Sequence, residues 1–233
     1  MKSLPAIIDD ILYLFFPRLC FGCSDHLVSN EHLICTRCML LLPSPSLYDK
    51  ADNKVEEMFW GRCRIENAVS LALFTRGGSV QSLIHNLKYK GVMELGPYLG
   101  SALGNRLISK KWVGEVDYII YVPLNKSKER KRGFNQSRLI ATGLSETLSI
   151  PVLDDAMERI ASKGTQTTRG RYERWENVES LFVVKRKDEV RGKHLLLVDD
   201  VITTGSTIEA CVNKLTDQDG VRVSVASIAA TFD

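Results

Sequence analysis

The chain has 233 residues, of which 44% are hydrophobic and 25% charged; this is the balance of a globular protein long enough to bury a core. A mainly disordered, collagen-like or mini-protein reading is excluded. Thirty-one Lys and Arg against 28 Asp and Glu leave a net charge of +3, so any affinity for nucleic acid has to come from local clusters and not from bulk charge.

In chain order, the first apolar run, residues 4–16, carries Asp9 and Asp10 in its middle and ends in Pro17-Arg18. It reads as neither a signal peptide nor an anchor, no run is suited to membrane insertion, and the cytoplasm is the expected location. Ile7, Ile8, Ile11, Leu12, Leu14, Phe15 and Phe16 fall broadly at helical spacing, predicting a short amphipathic helix over residues 3–16. Two C-x2-C pairs follow, Cys20 with Cys23 and Cys35 with Cys38, separated by eleven residues. Four thiolates so arranged can close a tetrahedral shell on Zn²⁺ with no open position, which predicts a structural site. His26 and His32 in the spacer are substitute ligands, and the plainer alternative is four reduced cysteines used as small core residues. Cys63 and Cys211 stand alone and read as buried small side chains. After Leu40-Leu41-Leu42, the run Pro43-Ser44-Pro45-Ser46 cannot continue a helix. The expected organisation is an N-terminal helix and zinc module over residues 1–45, a linker over 46–62 and a second domain over 63–233. Charge divides the chain similarly: residues 1–60 hold five basic and eight acidic residues, which leaves a net +6 for the rest.

From residue 68 strands and helices alternate. Strands are predicted over 68–74, 117–122, 181–185, 194–198 and 221–230, and helices over 79–88, 93–110, 134–148 and 206–217. Strand followed by helix, repeated, predicts an α/β domain with a mostly parallel sheet covered on both faces.

The run Leu195-Leu196-Leu197-Val198-Asp199-Asp200-Val201-Ile202-Thr203-Thr204-Gly205-Ser206-Thr207 carries the sharpest chemistry. A buried strand delivers two adjacent carboxylates to its C-terminal edge, the usual ligand face of an open α/β sheet. Residues 203–207 then form a hydroxyl-rich loop entering a helix N-terminus, where unpaired N–H groups hold a phosphate. Acids beside such a cradle suit a sugar phosphate. No Lys follows the glycine and no G-x-G-x-x-G is present, which argues against a Walker loop and a dinucleotide site. A helix cap behind two exposed acids is the alternative. Upstream, Val122-Pro123-Leu124-Asn125 leads into a loop with Lys126, Lys128, Arg130, Lys131 and Arg132 before Gly133-Phe134-Asn135-Gln136-Ser137. Such a loop neutralises pyrophosphate or a nucleic-acid backbone, or is simply solvated.

The acid pair with T-T-G-S-T resembles the phosphoribosyl-pyrophosphate (PRPP) loop of type I phosphoribosyltransferases. V-P-L, R-G-F-N-Q-S and D-D-V-I-T-T-G-S-T, in this order behind a four-cysteine knuckle pair, resemble the ComF family of competence-associated phosphoribosyltransferase-like proteins. Leu87-Lys88-Tyr89-Lys90-Gly91 and residues 166–182, with Arg174, Asn177 and Phe182, add to the likeness. Residues 165–170 and Trp175-Glu176 depart from the family pattern around Gln166 and Arg171. The resemblance implies a type I phosphoribosyltransferase fold in which Asp199 and Asp200, the catalytic pair, meet the ribose hydroxyls of PRPP with Mg²⁺. It further implies that Val201, Ile202, Thr203, Thr204, Gly205, Ser206 and Thr207 hold the 5′-phosphate. Pro123, Arg130 and Arg132 would face pyrophosphate, and Lys88 and Lys90 would reach in from a hood over about residues 76–100. The implied function is PRPP binding, or binding of another ribose phosphate, in DNA uptake through single-stranded DNA handling, with competence-machinery proteins as partners. The alternatives are an active phosphoribosyltransferase on an unidentified base or amine, and a zinc-ribbon adaptor with a vestigial transferase domain.

Overall fold

The computed structural model describes residues 17–42, 53–160 and 181–232. The helix expected over 3–16, the Pro-Ser run, and Gln166, Arg171, Arg174 and Asn177 lie outside the described residues. Elements follow in chain order: α1 (Thr36–Leu41), α2 (Lys54–Glu57), β1 (Ala68–Leu73), α3 (Ser79–Tyr89), α4 (Leu95–Leu107), β2 (Tyr118–Tyr121), α5 (Lys126–Arg132) and α6 (Gln136–Leu148). After them come β3 (Met157–Arg159), β4 (Phe182–Val184), α7 (Lys187–Val190), β5 (His194–Ile202), α8 (Ser206–Thr216) and β6 (Arg222–Ala230).

The main sheet is parallel throughout, in the order β1-β6-β5-β2. Its two inner strands are buried along both faces, and Leu195 to Val198 have no exposed surface. Each such side chain stabilises the fold by about 1.5–3 kcal/mol, so the acid pair that follows is carried on a rigid element. Beyond the predicted end at residue 198, β5 continues to Ile202, because Asp199, Val201 and Ile202 keep their register with Ser227, Ala229 and Ala230.

One helical layer is built by α4 against α6. Leu95, Leu99, Leu103 and Leu107 make the buried stripe of α4. Beside them Gly100 admits α6 at backbone distance, since a Cβ there would lie 2.2 Å from the Ile140 carbonyl oxygen. The reciprocal contact is Gly143, whose Cβ would lie 2.0 Å from the Pro97 carbonyl oxygen.

Three expectations need correction. The basic run is a helix, α5, and not a loop: Asn125 caps it by accepting from the Ser127 N–H, and Gly133 ends it in the left-handed region. The strand near 181–185 does not join the parallel sheet but pairs antiparallel with β3, a strand the sequence pattern did not disclose. Within the stretch read as a linker, Val55 and Phe59 are fully buried and Asn53 donates to the Ala68 carbonyl, so this segment is a strap packed against β1. No helix among the described residues is long and apolar enough to cross a membrane.

Candidate functional site

The carboxylates of Asp199 and Asp200 reach the C-terminal end of β5 buried, not at an exposed edge. Asp199 Oδ1 accepts from Ser137 Oγ at 2.8 Å and from the Asp200 N–H at 2.9 Å. Burial, then the neighbouring Asp200 charge, raises the Asp199 carboxyl to about 7, and these donors and Lys88 only partly oppose that. Lys88 Nζ lies 2.6 Å from Asp200 Oδ2, while Asp200 Oδ1 accepts from the Val201 N–H.

The R-G-F-N-Q-S run now has a physical role. Asn135 caps α6 and donates to the Val122 carbonyl, fastening α6 to the end of β2. Gln136 accepts from the Arg132 guanidinium, and Ser137 is the donor to Asp199. Ser137 went unnoticed in the sequence as an acid partner, because only the fold places α6 beside β5.

Past β5 the chain turns in three residues, Thr203, Thr204 and Gly205, into α8. Gly205 has φ 76°, and a Cβ there would also meet Phe59 at 3.1 Å, so glycine is demanded twice. No side chain caps α8 at Gly205. The Ser206 N–H has Thr204 Oγ1 at 3.5 Å, and the residues from Thr203 to Ile208 line a 40 Å³ concavity together with Asp199, Val201 and Ile202. Lys88, the partner of Asp200, also lines a 470 Å³ cavity with Tyr89, Gly91, Lys128, Lys131, Arg132 and Phe134. Arg132 stands 5.6 Å over the exposed Tyr89 ring.

Most of the anticipated residues converge: the acid pair, the 201–207 loop, Lys88 and Arg132. Others do not. Lys90 and Arg130 are exposed and do not line this cavity. Pro123 lines a separate 460 Å³ cavity with Tyr121, Lys126, Asn135, Asp155 and Arg159.

The second constellation lies in the N-terminal module. The sulfurs of Cys20, Cys23, Cys35 and Cys38 are all within 4.8 Å of one another and could hold a metal ion. The N–H groups of Gly22 and Cys35 point at Cys20 Sγ, at 3.3 and 3.2 Å, and that of Cys38 at Cys35 Sγ. Burial and the sulfurs of Cys23 and Cys35 push the Cys38 thiol up, so four thiolates in this space require a compensating cation. The module is tied to the larger domain by Asn86, whose Nδ2 donates to the Phe21 carbonyl.

A model of the phosphoribosyl transferase domain matches residues 134–231. The DNA utilization protein YhgH of Shigella flexneri is 31% identical over 153 residues, 64% of this chain; the match spans 66% of that relative's length. Competence protein F of Haemophilus influenzae is 38% identical over 104 residues, 44% of this chain and 45% of that protein. Competence protein ComFC of Bacillus subtilis is 25% identical over 222 residues, 93% of this chain and 85% of that one.

Proposed function

Because the chain belongs to the ComF family of phosphoribosyltransferase-like proteins, we propose that it binds PRPP with Mg²⁺ and serves DNA uptake or utilization by handling single-stranded DNA in the cytoplasm. The observation that carries the ligand is the pair Asp199–Asp200, followed after the five residues 201–205 by the N-terminus of α8, where Gly205 supplies no side-chain cap. In this reading the N–H groups of residues 205–207 hold the 5′-phosphate and the two carboxylates accept from the ribose hydroxyls. Lys88, Lys128, Lys131 and Arg132 then face the pyrophosphate. The carboxylate oxygens are of the hard kind that Mg²⁺ takes, and Mg²⁺ would neutralise pyrophosphate charge beside them.

Two further features support the DNA role. The words competence and DNA utilization stand in the relatives' names. The cavity that Lys88 lines joins cations to the rings of Tyr89 and Phe134, the combination that binds single strands. Zn²⁺ is the ion that four clustered thiolates favour, and we assign it to the cysteine site as a structural metal.

Calorimetric titration with PRPP and Mg²⁺ tests the site. Wild type binds, and Asp199→Asn with Asp200→Asn loses at least about a hundredfold in affinity, as removal of two charged acceptors implies. Because both acids are buried, circular dichroism of the double variant accompanies the titration. Unchanged affinity in a folded double variant would contradict the assignment.

A further inference from the structure

Arg62 belongs to none of the sequence motifs, yet its guanidinium spans the back of the 203–205 turn. Nη1 donates to the Thr204 carbonyl at 2.7 Å and to the Met58 carbonyl at 3.1 Å, while Nε and Nη2 both donate to Glu209 Oε2, at 3.2 and 2.6 Å. Glu209 is buried in the first turn of α8, so one side chain ties the turn, the helix behind it and the strap from which Arg62 comes. Arg62 does not line the phosphate-sized concavity.

Geometry then gives Arg62 a task. The described residues contain no cis peptide, and across a trans peptide the C=O and the next N–H point in opposite directions. Holding the Thr204 carbonyl towards Arg62 therefore turns the Gly205 N–H away from Arg62, and Thr204 and Gly205 line the concavity while Arg62 does not. A glycine turn is otherwise free to rotate this plane, because Gly205 has no Cβ to resist it. Phe59, from the same strap, lies close enough to Gly205 that a Cβ there would come within 3.1 Å of its ring.

We propose that Arg62 is a positioning residue: from outside the site it locks the Thr204–Gly205 peptide so that the Gly205 N–H faces the phosphate of a bound sugar phosphate. This rests on the ligand reading above. The strap between the cysteine module and β1 then sets the affinity of the loop, although it touches no ligand.

Arg62→Ala would leave the buried Glu209 without its partner and endanger the fold. Arg62→Lys avoids this, because an ammonium keeps the charge opposite Glu209 but cannot grip Thr204 and Glu209 together. Three ligands are titrated into wild type and Arg62→Lys: ribose 5-phosphate, PRPP with Mg²⁺, and pyrophosphate with Mg²⁺. The first two should weaken by the same factor, about tenfold for one misaligned charge-assisted hydrogen bond, while pyrophosphate is unchanged. A parallel loss of all three would mark a general structural effect and overturn the proposal. So would wild-type affinity for all three in the variant, with the ligand reading left standing. Absence of ribose 5-phosphate and PRPP binding in wild type would instead overturn both.

Discussion

Asp199 shows what the site costs the fold. Its carboxyl is raised by burial and by Asp200, so between the ordinary value of 3.8 and about 7 the folded chain holds a proton that the unfolded chain releases. The stability this proton contributes is fully present below pH 3.8 and is lost as pH rises through the raised value. His194 acts in the opposite sense, since burial lowers its pKa and the folded chain loses stability as pH falls below 6.5. Comparing wild type with Asp199→Asn separates the two. The variant should unfold at the same temperature as wild type at pH 3 and at an increasingly higher one as pH rises to 8, by about 2–4 °C per kcal/mol in a chain of this size. Parallel melting profiles from pH 3 to 8 would show that Asp199 is not held against its charge. The place of the acid pair at the end of a buried strand was legible in the sequence, but its burial was not, because that depends on Ser137 and Lys88 arriving from α6 and α3.

The elements differ in how plainly the sequence announces them. The leucine stripe of α4 carries its own periodicity and formed within the expected bounds, whereas the long apolar run announces β5 but not its continuation to Ile202. A seven-residue helix of mostly charged side chains has no apolar period, so α5 is announced only by its caps, Asn125 and Gly133. Short β3 and β4 need each other to be strands at all. The glycines of α4 were visible as residues but not as an interface. Gly100→Ala should lower stability in urea unfolding by about 1–3 kcal/mol or more, because the added methyl meets backbone that cannot move aside without separating α4 from α6. A loss of a few tenths of a kcal/mol would mean the helices are less tightly apposed. On α5, Lys128 and Lys131 line the cavity and Arg130 does not. Lys128→Ala with Lys131→Ala should therefore weaken single-stranded oligonucleotide binding in fluorescence anisotropy and flatten its salt dependence by about 1.4 in log–log slope, at about 0.7 per phosphate contact. Arg130→Ala should do less, and an equal effect of Arg130→Ala would move the strand to the outer face of α5.

At the scale of the molecule, the strap from Asn53 to Arg62 is fastened to the α/β domain at both ends, by Asn53 on the Ala68 carbonyl and by Arg62 on the Thr204 carbonyl. A metal held by the four cysteines should contribute to folding of their own segment. Protein purified without added zinc should carry about one Zn²⁺ per chain by elemental analysis, as one tetrahedral four-cysteine site implies. Metal retained after all four cysteines are replaced by serine would rule that site out. The division into a module and a larger domain was read from cysteine spacing and the Pro-Ser run, whereas the packed strap was hidden because Val55 and Phe59 sit among charged neighbours without a clear period. A crystal structure with PRPP and Mg²⁺ measures directly where a sugar phosphate lies. The expected density has the 5′-phosphate on the N–H groups of Gly205, Ser206 and Thr207, the ribose hydroxyls on Asp199 and Asp200, and pyrophosphate towards Lys88. Ligand density in the cavity bounded by Arg76, His85 and Phe21 instead, with the 203–207 turn bare, would contradict it.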